Sequence, residues 1–231
     1  MKKYVIIIWA LLWGIFLMGI IWNGTEGKWR VEDAEKIAKL EVAKYTNQLM
    51  VVSVQQKEAI LCFYEKQASG KWELLLETEA LIGKKGLGKR REGDLKTPVG
   101  IYRFVLAFGI LENSKAKMKY ITVTEDNYWV DDSGSNYYNQ FICMDEVKKD
   151  WDSAEHLVEY GEAYHYVLAT NYNEGRIPGA GSAVFLHCST AEMEYTAGCI
   201  AVPEFFMKRI LEEVEPQCVL IIDEAENIML Y

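Results

Sequence analysis

The chemistry this sequence can do rests on a few residues. It holds three histidines, His156, His165 and His187, and five cysteines, Cys62, Cys143, Cys188, Cys199 and Cys218. His187 closes the apolar run Ala183-Val-Phe-Leu-His187, and Cys199 follows a glycine in Tyr195-Thr-Ala-Gly198-Cys199-Ile. An imidazole near a thiol can take its proton near neutral pH, and the thiolate is the nucleophile. Gly198 lets backbone approach a substrate carbonyl closely, so that neighbouring N–H groups can hold an oxyanion. The same two residues serve equally well as packing, because free cysteine often behaves as a small buried hydrophobe. Spacing alone does not choose between these readings.

Cys188 adjoins His187 and is a rival nucleophile. Adjacent side chains of an extended strand face opposite sides. If His187 faces a site together with Phe185, Cys188 turns away with Leu186. Cys62, Cys143 and Cys218 sit in strand-like apolar runs and read as core. No C-x-x-C or zinc-ribbon spacing is present, and the histidines lack a recognisable fourth ligand, so neither metal nor cofactor is expected. His165 lies in a strand-like run and reads as structural, while His156 fits either a structural place or the edge of a pocket. The basic run from Gly83 to Arg91 lacks the Gly-Lys-Ser/Thr ending of a phosphate loop and is a poor candidate for one.

The elements that must position these residues are mostly strands. Gln48–Val54, Ala59–Glu65, Trp72–Glu77, Gly100–Leu106, Lys119–Thr124, Tyr128–Asp131, Tyr164–Thr170, Ala183–Cys188 and Cys218–Asp223 are short apolar or alternating runs. One later segment reads as helix: Pro203 and Glu204 suit a first turn, and Phe206, Ile210 and Val214 then share a face. The expected fold is mainly β with minor α, a barrel or sandwich with one or two packed helices. Half of the 231 residues are hydrophobic, ample for a core. The net charge of −9 argues against a nucleic-acid partner, since phosphate binding needs a basic face.

The N-terminus is distinct. Lys2 and Lys3 precede an uncharged stretch from Tyr4 to Trp22. As a helix it would span roughly 28 Å at about 1.5 Å per residue, close to a bilayer's hydrocarbon thickness. Residues 1–23 are therefore expected to anchor the chain in a membrane, a cleaved signal peptide being the alternative, with everything after Asn23 outside the cytoplasm by the positive-inside rule. Residues 24–46 would form a stalk, helical over Val31–Tyr45 with a solvated face, and residues 47–231 the catalytic domain.

Phe185-Leu-His187 followed by Thr196-Ala-Gly198-Cys199-Ile resembles the signature of the L,D-transpeptidase (YkuD-type) catalytic domain. Gly83-Lys-Lys-Gly86 through Glu92-Gly-Asp94-Leu-Lys-Thr97-Pro98-Val-Gly100 is similar to the entrance of that domain. Trp151-x-Ser-Ala-Glu155-His156-Leu and Gly179-x-Gly181-Ser182-Ala183 also resemble it, so the likeness runs from about Gln48 to Asp223. The resemblance implies that Cys199 attacks the amide between the third and fourth residues of a peptidoglycan tetrapeptide stem. D-alanine leaves, protonated by His187, and an amine of a neighbouring stem resolves the thioester as a 3→3 cross-link. Thr196 would support the loop or the oxyanion site. A hydrolysing L,D-carboxypeptidase and an inactive wall-binding module are the alternatives.

Two departures stand out. Familiar members have Ser-His-Gly-Cys and an arginine soon after the nucleophile, whereas here Ala197 and Ala201 stand in those places. The interval from His187 to Cys199 is also shorter than in many relatives. The missing arginine leaves the substrate-anchoring charge unassigned, with Arg103, Lys84 or Lys85 as replacements, and His156 as a further substrate-binding candidate.

Overall fold

A computed structural model describes residues 34–231. The expected anchor, residues 1–23, lies outside them. Among the described residues no helix is long and apolar enough to cross a membrane.

The strands are β1 (Gln48–Gln55), β2 (Glu58–Lys66), β3 (Trp72–Ala80), β4 (Gly100–Gly109), β5 (Tyr120–Thr122), β6 (Asn127–Val130), β7 (Gln140–Cys143), β8 (Ala154–His156), β9 (Val167–Thr170), β10 (Phe185–Ser189), β11 (Ile200–Pro203) and β12 (Val219–Glu224). The main sheet runs β11-β10-β9-β4-β12-β1-β2-β3, with β5 on β4, and a small sheet runs β7-β6-β8. The two ends of the main sheet meet: Leu81, just past β3, and Ala201 of β11 exchange hydrogen bonds of 2.8 and 2.9 Å. A sheet closed in this way removes exposed edges, and the result is a near-barrel.

Alternation explains the two sides. In β10, Leu186 and Cys188 turn into the core with Met50, Leu61, Phe63, Leu168 and Leu220. Phe185 turns the other way, against Phe108, Trp129 and Tyr164. The helix α2 (Glu204–Glu213) opens after Pro203, whose fixed φ suits a helix entrance, and buries Met207, Ile210 and Leu211 over the first core.

Two sequence expectations are corrected. The segment expected as one stalk helix with a solvated face has only a single α turn within its described part, α1 (Ala34–Ile37), then a 3-10 turn at Val42–Lys44. Its apolar residues recur every third position, and Ile37, Leu40 and Ala43 are buried against Leu49, Tyr64, Trp72 and Ile228. Burying that stripe packs the segment on the sheet, while Glu35, Lys36, Lys39 and Glu41 stay exposed, as expected of a solvated face. His165 is not in a strand either. It ends a 3-10 stretch, Leu157–Tyr164, and its Nδ1 meets Glu204 Oε2 at 2.9 Å.

Candidate active site

Cys199 sits just before β11, and β10 and β11 are parallel with His187 opposite Ala201. Continuing that register places Cys199 beside Phe185, two residues from His187 and so roughly 7 Å along the strand. Phe185, His187 and Cys199 share the face on which Tyr164 packs. Cys188 is on the other face, and its thiol reaches the Tyr166 carbonyl at 3.7 Å.

The loop before Cys199 is held by hydroxyls. Thr196 Oγ1 donates to the Cys199 carbonyl at 2.6 Å and accepts the Gly198 N–H at 3.1 Å. Thr97 Oγ1 donates to the same carbonyl at 3.2 Å. Thr196 thus supports the loop. The Gly198 N–H is thereby held within the loop itself. Glycine is needed for another reason. Gly198 has φ +148°, and a Cβ there would stand 2.8 Å from the Lys96 carbonyl and 3.4 Å from Lys89 Nζ.

The thiol lies on one wall of a cavity of about 180 Å³ lined by Lys89, Glu92, Asp131, Glu155, Ser182 and Ala183, among others. Cys199 Sγ donates to the Ala183 carbonyl at 3.0 Å and accepts the Phe185 N–H at 3.3 Å. Ala183 has φ +51°, a left-handed conformation unusual for alanine and of the kind found at functional sites. Burial pushes the Cys199 thiol up to about 12, and the Glu155 charge adds to this; the Phe185 N–H and Lys89 work against them. Burial likewise pushes the His187 imidazole down to about 4, opposed by the carbonyl of Cys188, which faces Nδ1 at 2.9 Å, and by the Ala163 backbone. Among the described residues no hydrogen bond joins His187 to Cys199. With these shifts the pair is a neutral thiol and a neutral imidazole on one face of the sheet.

The expected substrate-binding residues lie elsewhere. Arg103 lines a different groove with Tyr45, Ile101 and Gln217, because alternation along β4 turns it outward. Lys84 and Lys85 line a third groove with Lys57 and Tyr195, and Lys84 Nζ rests 4.5 Å from the Tyr195 ring centre. His156 stacks on Tyr128 in the small sheet, with ring centres 4.5 Å apart, and does not line the Cys199 cavity. The cation that reaches the cavity is Lys89. Its side chain is only 4% exposed and lies 3.4 Å from Asp94 Oδ1. Gly181 makes room for it, since a Cβ there would stand 2.6 Å from Lys89 Cε. Sequence reasoning missed Lys89 and also Glu155, whose carboxyl accepts the Tyr164 hydroxyl at 2.7 Å.

The sequence model of the YkuD family, described as the L,D-transpeptidase catalytic domain, matches residues 47–222. The chain belongs to this family. Among solved structures, this L,D-transpeptidase-family domain is similar to the helical cell shape determining protein Pgp2 of Campylobacter jejuni, at 16% identity and a TM-score of 0.42 over 82% of this chain and 55% of that one. It is similar to an Enterococcus faecium L,D-transpeptidase, at 15% identity and a TM-score of 0.38 over 77% and 50% of the two chains. Mycobacterium tuberculosis L,D-transpeptidase 1 aligns at 14% identity and a TM-score of 0.36 over 77% and 61%. The chain spans about half the length of the first structures it matches. No curated protein matches it. Within the family match, the cavity wall draws on parts of each block that carried the resemblance, Glu92 and Gly93, Glu155, Ser182 and Ala183, and Ala197–Cys199, with Lys89 and Asp131 beside them.

Proposed function

We propose that this domain is a peptidoglycan L,D-transpeptidase that forms 3→3 cross-links through a thioester on Cys199. The observation that carries the reading is the meeting, in one cavity, of a glycine-preceded cysteine and a buried lysine within a YkuD-family domain. Lys89 takes the anchoring role left open by the missing arginine, holding the carboxylate at the end of the donor stem and favouring the developing thiolate.

The thiol is protonated in the closed cavity, so its proton leaves as attack begins rather than beforehand. Substrate entering beside Tyr164 brings His187 and Cys199 into proton-transfer contact, since both project from the same face. Sulfur adds to the carbonyl of the third stem residue and the carbon–nitrogen bond to D-alanine breaks. The leaving amine takes the proton from His187, and a thioester remains. The amine of a second stem then attacks the thioester carbon and the carbon–sulfur bond breaks. One difficult amide exchange becomes two easier acyl transfers.

The test is mass spectrometry of the protein with a defined tetrapeptide stem, followed by analysis of the released products. A Cys199 adduct that has lost D-alanine, with dimer among the products, supports the reading. Tripeptide alone makes the domain an L,D-carboxypeptidase, and no adduct at all makes it a binding module.

The reading includes a place in the cell: residues 1–23 anchor the chain and the domain faces the wall. Protease added to spheroplasts should then degrade the domain. Survival there, with loss only after lysis, would put it in the cytoplasm and remove the proposed substrate.

A further inference from the structure

The second stem needs a place of its own. The Cys199 cavity holds about 180 Å³, below the range of roughly 300–1,000 Å³ usual for sites that enclose a small ligand. It does not hold two peptides at once. A larger groove, of about 580 Å³, adjoins it along the chain. Glu194 and Tyr195, just before Thr196, line the groove, whereas Ala197–Cys199, just after it, line the cavity.

Two ties join this groove to the nucleophile. The Thr196 N–H donates to the Ile82 carbonyl at 2.9 Å, and the Lys84 N–H donates to the Thr196 carbonyl at 3.0 Å. The Gly83 N–H donates to Thr97 Oγ1 at 2.8 Å. Ile82, Gly83 and Lys84 are groove residues, and Thr196 and Thr97 are the hydroxyls that hold the Cys199 carbonyl. Groove wall and thiol therefore belong to one hydrogen-bonded frame. Three residues separate Thr196 from Cys199, a distance of at most roughly 11 Å. A peptide of three residues covers about 10 Å when extended, so a stem seated in the groove is long enough to bring its amine to the thioester.

The groove is basic on an acidic chain. Lys57, Lys84 and Lys85 line it together with one carboxylate, Glu194, in a protein whose net charge is −9. Among the described residues no ion pair neutralises any of the three. Lys84 is steered by Tyr195, to whose hydroxyl its Nζ donates at 3.1 Å. A concave surface of one sign concentrates ions of the other, so the ligand this groove selects is an anion.

We infer that the groove is the docking site of the second stem, whose terminal carboxylate Lys84 and Lys85 hold while its amine reaches Cys199. The inference rests on Cys199 carrying the thioester. Lys89 and His187 keep their parts, the first holding the end of the donor and the second moving its proton. Lys84 and Lys85 serve the acceptor, and Lys57, from the turn between β1 and β2, adds a third charge. A phosphate-rich wall polymer is another anion that lysines attract, but a tether of that kind has no need of a frame shared with the nucleophile.

The experiment gives the full-length protein a tetrapeptide donor whose amines are acetylated, so that it cannot accept. The acceptor is a tripeptide stem, which lacks the bond to be cleaved. The rate of cross-linking is followed against tripeptide concentration. The double variant Lys84→Gln, Lys85→Gln should raise the half-saturating concentration roughly tenfold, the size of two exposed ion pairs. Its maximal rate and its Cys199 adduct should stay near wild type. Glycinamide and a tripeptide amidated at its end lack the terminal carboxylate, and each should serve wild type and variant equally. In the wild type, added salt should weaken saturation by the tripeptide and not by its amide.

Unchanged tripeptide saturation in the double variant overturns the inference. So does an equal loss with glycinamide, which would show that the lysines act only by holding the loop at Thr196. Unchanged tripeptide saturation together with lost binding of a phosphodiester polymer would give the groove to that polymer instead. A wild-type protein that forms no adduct overturns the proposed function as well, whereas a normal adduct with aminolysis blind to the carboxylate overturns this inference alone.

Discussion

The backbone N–H of Phe185 donates to Sγ of Cys199 across 3.3 Å. The strand that carries His187 therefore also fixes the thiol, two residues upstream of the imidazole. This explains why a short loop between histidine and cysteine suffices: the parallel pairing of β10 with β11, and not loop length, sets their separation.

Which thiol reacts follows from the two faces of β10. Cys199→Ser should give no acyl-enzyme by mass spectrometry, because a serine hydroxyl here is far less ionised than a thiol. Cys188→Ala should keep the adduct and lose about 1 kcal/mol of stability from its core contacts. Adduct lost in Cys188→Ala and kept in Cys199→Ser would reverse the assignment.

At Gly198 backbone shape and site chemistry coincide. Gly198→Ala faces both a positive φ and the Lys96 carbonyl 2.8 Å from the new Cβ. The expected loss is roughly 1–3 kcal/mol in urea unfolding, with adduct formation slowed because the loop carrying Cys199 must shift. A variant of wild-type stability and rate would show that the loop has another conformation open to it.

Lys89 opposes the upward push on the thiol. Lys89→Met should move the pH midpoint of Cys199 alkylation by iodoacetamide upward and slow acylation by the tetrapeptide. Lys89→Arg should stay closer to wild type, while Arg103→Met, in another groove, should leave both readouts in place. Equal effects of Lys89→Met and Arg103→Met would remove Lys89 from the site.

His187 and Glu155 tilt stability in opposite directions. An exposed histidine takes up a proton near 6.5, whereas folded His187 does so only near 4. As pH falls from about 6.5 to 4 the unfolded chain binds the extra proton and the fold loses stability, on the order of 3 kcal/mol. Glu155 is shifted from 4.5 to about 7, so its contribution is present below 4.5 and is lost as pH rises through 7. Measured by urea unfolding, wild type minus His187→Gln should fall on acidification across the first window. Wild type minus Glu155→Gln should fall on alkalinisation across the second. A flat difference in either window contradicts the burial of that group.

The sequence reveals much of this through period and run length. β1 to β4, β12 and α2 stand out as alternating or apolar runs, and alternation alone places Cys188 opposite His187. β7, β8 and β11 are three or four residues long, and unlike the equally short β5, β6 and β9 they do not read as strands in the sequence. Cys143, expected in the core, is half-buried on β7, a small-sheet edge. Lys89 is hidden by its surroundings in sequence, a charged run that reads as solvated. What buries it is long-range: Asp94 neutralises it, and Gly181 and Gly198 supply the space. Glu155 is equally silent, because Tyr164 and Cys199 approach it only after β8 joins β6.

The bridge between Leu81 and Ala201 has a consequence for how the protein is made. β11 joins a sheet whose far side is β1 paired with β12, so the frame around Cys199 draws on the first and last strands of the domain. Contacts between distant parts of a chain form late and slowly. A ribosome that has released only the first two thirds of this protein has released neither His187 nor Cys199, and no closed sheet stands ready to hold them. Cys199 therefore acquires its cavity only once β12 is in place, and on the proposed function no fragment ending before β12 should be able to capture an acyl group.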